Sequence, residues 1–284
     1  MEQRVALENS AGHEAQKKII AIDRTIALKN GKQLELIRAK KQSDAKYIVI
    51  ILPGGGYEFC SFREARNVAL YFANEGLDSA VLHYEVMDEQ DALSAKKGLG
   101  YLPMITVAHA INELRSNKEL GFSEHKIILC GFSAGGHLAA SLCTRYDCEE
   151  LKKAYSWQAS LRPYAVHTST KDEVAKLVFH CLTGSTDPKD WAEFTTDDKV
   201  NSNTPPAYIW HTASDAIVPV RNAISYAQAM WRCGNKAELL ILPDGVHGLS
   251  PATKDVEPTN DFVHANDHAA LWFPQAVSFI KHYI

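Results

Sequence analysis

The chain has 284 residues, 46% hydrophobic and 23% charged, with a formal net charge of −4. Those proportions belong to a globular chain with a real core and exclude the basic footprint of a nucleic-acid or acidic-membrane binder. No run approaches the roughly 20 apolar residues of a spanning helix, and residues 1–18, MEQRVALENSAGHEAQKK, carry acids early and no apolar segment, so no signal peptide is expected.

Six cysteines lack CxxC spacing, and twelve histidines form neither HxH nor HExxH. Reduced thiols, a cytoplasmic location and the absence of any metal site are the expectations. There is no internal repeat and no low-complexity linker, which favours one domain over 1–284.

Residues 19–28 and 33–38 alternate apolar and polar around NGK, the pattern of an edge hairpin. YIVIIL at 47–52 is continuously apolar, as a strand buried on both faces would be. A helix over 64–75 and a buried strand over 79–84 follow, then a polar stretch at 85–100 and a helix through about 117. KIILCG at 126–131 reads as a strand, and the small-residue run 134–146 as a helix. Strands over 207–212 and 237–242 flank a helix over 221–233. A last helix spans 267–283, with Leu271, Phe273, Val277, Phe279 and Ile280 on its apolar face. Between the 134–146 helix and the 207–212 strand, 160–206 starts like a strand and turns irregular, and 170–204 is the expected lid or substrate wall. Strand and helix alternate from residue 47, which predicts a mostly parallel sheet covered on both faces.

Gly131-Phe132-Ser133-Ala134-Gly135 is GxSxG between a buried strand and a helix. In that context the turn is so sharp that its neighbours must be small, and the serine hydroxyl is pushed out over the sheet. A serine needs a base, and the base needs an acid to orient it. Asp215 follows the strand in IWHTASDAIVPV, at the sheet edge where such folds bind ligands, and His247 follows the next strand in LLILPDGVHGLS. Asp187, Asp197 and Asp198 compete with the first but read as turn or cap residues; His264 and His268 compete with the second. His137, His83 and His211 read as packing residues.

PGGGY at 53–57 places three glycines after the third strand. No GxxxxGK[ST] or GxGxxG accompanies them, so a phosphate cradle is disfavoured. Bare main chain beside a nucleophilic serine suits an oxyanion hole, with donors from the glycine loop and from Ala134 N–H.

With PGGGY, GFSAGGHLAASL at 131–142, PPAYIWHTASDAIVPV at 205–220 and GVHGLS at 245–250 in order, the chain resembles the α/β-hydrolase superfamily. Within it the chain is similar to small esterases related to hormone-sensitive lipase, and most to the bacterial acetyl-esterase group labelled acetylxylan-esterase-like or endo-1,4-beta-xylanase B-like. The resemblance implies an eight-stranded, mostly parallel sheet and a serine carboxylesterase for short-chain, acetyl-type esters, often of sugars. It implies Ser133 as nucleophile, His247 as general base and acid, Asp215 as orienter, and oxyanion donors at Gly55, Gly56 and Ala134. It implies no cofactor and no metal. The expected partner is a small-molecule ester, not nucleic acid or membrane; homo-oligomers are common among such domains. Two features depart from the pattern: Pro53 stands where the broader lipase family has histidine, and 160–170 lacks a YP ending. Tyr57, Phe59 and Trp191 are candidate pocket residues. The alternatives are an amide-cleaving relative, such as an arylformamidase or small peptidase, and a non-catalytic binding protein on the same fold.

Overall fold

The computed structural model describes residues 22–41, 46–145, 148–154, 164–166, 176–254 and 263–284. Among them, eight strands form one sheet: β1 (Arg24–Ala27), β2 (Gln33–Ile37), β3 (Tyr47–Leu52), β4 (Asp78–His83), β5 (Lys126–Gly131), β6 (Tyr164–Val166), β7 (Ala207–Thr212) and β8 (Ala237–Leu242), in the order β1-β2-β4-β3-β5-β6-β7-β8. Pairing from β4 to β8 is parallel, and β2 runs opposite to the other seven strands. The predicted hairpin is that β1–β2 pair, closed through Gly31, whose φ of 79° suits glycine.

The apolar run of β3 is explained by its two covered faces. Ile48, Ile50 and Leu52 enter a core shared with helices α3 (Leu102–Ser116) and α4 (Ala134–Arg145). Tyr47, Val49 and Ile51 enter the core on the other face, with α1 (Arg66–Asn74) and the last helix, α9 (Trp272–Tyr283). Both faces are therefore dry, and period-two alternation disappears from the sequence. In α9 the expected face is corrected at one position: Leu271 lies in the preceding 3₁₀ turn and is 46% exposed. The anchor is Trp272, fully buried and stacked on Trp210 of β7 with ring centroids 5.1 Å apart.

The polar stretch 85–100 holds a helix, α2 (Glu89–Ala95), that its composition conceals. Asp88 caps it by accepting from the N–H groups of Gln90 and Asp91, and acids fill its first turn. The excursion after β6 contains α6 (Lys176–Thr183) and α7 (Pro188–Trp191), after α5 (Glu149–Ala154); α8 (Arg221–Arg232) joins β7 to β8. Most of the 160–170 stretch lies outside the described residues.

Chain order and spatial order part company around β3: its successor β4 lies on one side and β5 on the other. The loops after β3 and β5 therefore leave a crevice between them at the C-terminal sheet edge. Leu52 pairs with Gly131, so PGGGY and the Ser133 turn begin at the same level.

One buried ion pair ties β2 to α1. Arg66 donates from Nε and Nη2 to both Glu35 oxygens, at 2.7 and 2.6 Å, and His83 Nε2 lies 3.3 Å from Glu35. Burial alone would raise the Glu35 carboxyl, but the hydrogen bonds and charges of Arg66 and His83 outweigh it and hold it at about 2. Glu35→Ala strands the Arg66 charge and should cost about 3–5 kcal/mol in urea unfolding at neutral pH. Because the folded pKa lies below the ordinary glutamate value of 4.5, this deficit should be full above about pH 4.5 and shrink as the pH falls toward 2. Equal stability of variant and wild type at pH 7 would contradict the assignment.

Candidate active site

Ser133 sits in the turn between β5 and α4 with φ of +49°, a left-handed conformation that a side chain tolerates only under constraint. The constraint is visible in the glycines around it. A Cβ on Gly135 would lie 1.9 Å from Leu52 O, and one on Gly131 2.1 Å from Gly135 O. Only bare backbone lets strand, turn and helix close this tightly. Gly135 N donates to Phe132 O and His137 N to Ser133 O, so the helix starts immediately behind the serine.

His247 and Asp215 arrive from the ends of β8 and β7. His247 Nδ1–H donates to Asp215 Oδ2 at 2.7 Å, and Ser133 Oγ donates to His247 Nε2 at 2.9 Å. Asp215 Oδ1 accepts from the N–H groups of Ile217 and Val218 at 2.8 and 2.9 Å. Burial pushes the Asp215 carboxyl up, but its bond to His247, the imidazole charge and these two N–H groups leave it below the ordinary carboxylate value. The turn is stapled to the histidine loop, since Thr212 Oγ1 donates to Gly245 O and Gly245 N donates to Ser214 Oγ, each at 2.9 Å. The Asp215 side chain is 7% exposed, that of His247 24%, and Ser133 is half-buried, so the imidazole and hydroxyl face a cleft while the carboxylate stays behind them.

The competing residues are elsewhere. Asp187 caps α7, Asp198 bonds within its own turn, and Asp197 accepts from Asp198 N and from Ser225 Oγ of α8. His268 is exposed at the start of a 3₁₀ turn. His211 is buried, bonds Thr212 O through Nδ1, and keeps Nε2 3.9 Å from Asp215, beyond hydrogen-bond range. His137 lies in the core against Tyr57 OH (3.0 Å) and Phe194 O (2.7 Å), and burial pushes its pKa down to about 4.

The PGGGY loop faces Ser133: a Cβ on Gly54 would lie 2.9 Å from Ser133 Cβ. Inside the loop, Gly54 O accepts from Ser61 N, and Gly55 O accepts from Glu58 N and Phe59 N. A trans peptide points its N–H opposite its carbonyl. With these two carbonyls turned into the loop, the N–H groups of Gly55 and Gly56 are turned out of it. Ala134, first in its helix, has no intrahelical partner for its own N–H. Pro53 needs no histidine side chain to hold its carbonyl, because Tyr84 OH donates to it.

Two of the candidate pocket aromatics pack inside the protein. Tyr57 is 1% exposed, and Trp191 stacks on Phe179 at 5.2 Å; Phe59 remains half-buried against Gly55. Their places are taken by Phe132, Trp210, Val218, Val246 and Leu249, which line the cleft with Ser133, Asp215 and His247. Sequence reasoning also missed Glu64, a 3% exposed carboxyl in the same lining. Its signal was an acid just ahead of the apolar stripe of α1, indistinguishable locally from a first-turn charge. The excursion reaches the site as well, since a Cβ on Gly56 would fall 2.4 Å from Leu177 Cδ2 of α6.

Among the described residues no group of histidine, cysteine and carboxylate side chains is arranged to hold a metal, and no helix is long and apolar enough to cross a membrane.

Known proteins bear the same architecture. The chain is 28% identical over 214 residues to endo-1,4-beta-xylanase B of Butyrivibrio fibrisolvens, covering 73% of this chain and 33% of that protein. It is 26% identical over 238 residues to an acetylxylan esterase of Xylanibacter ruminicola, covering 81% of this chain and 46% of that protein. The match thus spans between a third and a half of each relative's length. Among solved structures, a Lactobacillus plantarum carboxylesterase superposes with a TM-score of 0.72 at 23% identity, covering 92% of this chain and 97% of that one. An acetyl ester-xyloside bifunctional hydrolase from Caldicellulosiruptor lactoaceticus gives a TM-score of 0.68 at 26% identity, covering 92% and 98%. A family model described as alpha/beta hydrolase fold matches residues 103–250, just over half of the chain and the part that carries the Ser133 turn, Asp215 and His247. The sheet order, the strained serine turn and this match lead to one conclusion: the chain belongs to the alpha/beta hydrolase fold family.

Proposed function

We propose that the protein is a serine carboxylesterase for short-chain acyl esters, acetyl groups on carbohydrates or related alcohols foremost. One observation carries this reading, the unbroken contact from Ser133 Oγ through the His247 imidazole to Asp215. In the proposed mechanism Ser133 Oγ attacks the ester carbonyl carbon as its proton passes to His247 Nε2. The carbonyl electron pair moves onto oxygen, and the N–H groups of Gly55, Gly56 and Ala134 receive the oxyanion, each donor supplying on the order of 3 kcal/mol. Collapse re-forms the carbonyl and expels the alkoxide, which takes the proton from His247 and leaves as the alcohol. Water then attacks the acyl-serine with His247 again as base, releasing the carboxylic acid and free Ser133. Asp215 orients the ring and offsets the imidazolium charge. The acetyl preference and sugar alcohol come from the names of the relatives, an acetylxylan esterase and an acetyl ester-xyloside hydrolase.

Hydrolysis of p-nitrophenyl acetate tests the reading. Ser133→Ala should lower kcat by on the order of 10⁴-fold or more, and Asp215→Asn by a comparable factor. An alanine variant as active as wild type would defeat the mechanism, and faster turnover of peptides or formamides than of acetyl esters would favour amide cleavage. Across acetate, butyrate and octanoate esters, kcat/KM should decline with chain length.

The pH profile has a defined sign. A protonated imidazole cannot accept the Ser133 proton, so kcat/KM should fall toward acid pH. Asp215, held below its ordinary value of 3.8, stays ionised through that fall. The acid limb should therefore follow a single proton above about pH 5; a two-proton limb there would refute the assignment of Asp215.

A further inference from the structure

Glu64 is a buried carboxyl in the cleft that the steps above do not use. A carboxyl in such a place is costly unless its oxygens are engaged. Glu64 Oε2 accepts from Gly54 N at 2.8 Å. The other pole of that same peptide unit, Pro53 O, accepts from Tyr84 OH. A single peptide plane at the head of the glycine loop is thus held at both ends by buried side chains. The orientation of this plane sets the next two, whose N–H groups are the proposed oxyanion donors.

The 3₁₀ turn Phe62–Glu64 also reaches the opposite wall of the cleft. Arg63 Nη1 donates to Gly248 O at 3.0 Å, and Arg63 O accepts from Ser250 Oγ at 2.6 Å. A Cβ on Gly248 would lie 3.3 Å from Glu64 Oε1, so the residue after His247 packs directly on this carboxyl. Consecutive residues of one turn therefore grip the glycine loop and the histidine loop together.

We propose that Glu64 is a positioning residue that locks the oxyanion loop in register with Ser133 and His247, acting as a hydrogen-bond acceptor for Gly54 rather than as a charge. The inference rests on the serine-esterase reading. Catalytic donors must be held within a few tenths of an ångström to act, so loss of the lock falls on the transition state and leaves substrate binding largely intact.

The test compares Glu64→Ala, Glu64→Gln and Tyr84→Phe with wild type and Ser133→Ala on p-nitrophenyl acetate. Glu64→Ala should lower kcat by about 30-fold or more with KM within about threefold, a partial loss of a donor worth roughly 10²–10³. Glu64→Gln keeps a side-chain oxygen for Gly54 N–H and should recover kcat to within about fivefold of wild type, with an unmoved acid limb of the pH profile. Tyr84→Phe releases the other pole of the same peptide and should lower kcat while sparing KM, which decides the matter should Glu64→Ala not fold. Three results would overturn the inference: wild-type kcat in both Glu64→Ala and Tyr84→Phe, a Glu64→Gln as impaired as Glu64→Ala, or losses confined to KM. In each, activity still depends on Ser133. A wild-type protein that does not hydrolyse the ester, or an active Ser133→Ala, removes the serine-esterase reading itself and the inference with it.

Discussion

Close backbone packing at the Ser133 turn is the constraint from which the rest of the site follows. Gly131, Gly135 and Gly54 each stand where an added Cβ would lie within 3 Å of neighbouring atoms, from strand β3, from the turn itself or from Ser133. Their bareness lets the N-terminus of α4 press on the end of β3. It also accommodates a serine at φ +49° and brings the glycine loop alongside it. The conformational entropy of so many glycines is unfavourable; close approach of three chain segments is what it makes available.

Electrostatics divides the histidines by surroundings rather than by sequence. His247 stands in a partly open cleft, aimed by an acid that its own hydrogen bond and two backbone N–H groups keep ionised. His137 lies in the core, where burial drives its pKa to about 4 and keeps the ring neutral. There it pins three parts together: its own helix α4, Tyr57 of the glycine loop, and Phe194 of the excursion. His180 does related work in α6, with Nδ1 2.6 Å from Glu89 of α2, while Leu99 N and Gly100 N donate to Cys181 O and Leu182 O. These bonds tie α6 to α2 and to the turn before α3, and Leu177 of α6 lies over Gly56.

Much of the architecture was legible in short windows. A strand buried on both faces announces itself as an unbroken apolar run, and YIVIIL, KIILCG and AYIWHT are strands β3, β5 and β7 with the bounds read from sequence. What composition hid was α2, whose apolar content is small and whose evidence is a capping aspartate. Leu271 misled because helical spacing alone does not say where a helix begins; the 3₁₀ turn before Trp272 rotates it outward. Tyr57 and Trp191 misled because an aromatic near a catalytic motif can line a pocket or fill a core, and only its neighbours distinguish the two.

By itself the sequence determined the layered fold class, the strained serine turn and the set of residues eligible to partner it. Those properties depend on local periodicity, on glycine placement and on the order of motifs along the chain. Tertiary structure alone decided which imidazole stands against Ser133, why Pro53 is workable, and that Glu64 sits in the cleft with one oxygen on Gly54 N. Each of these turns on two groups meeting across the fold, and nothing in the local chemistry of either records the other. The physical reason is that a hydrogen bond or a close packing contact is a property of a pair, and pairs remote in sequence exist only once the sheet order has brought their loops to one edge.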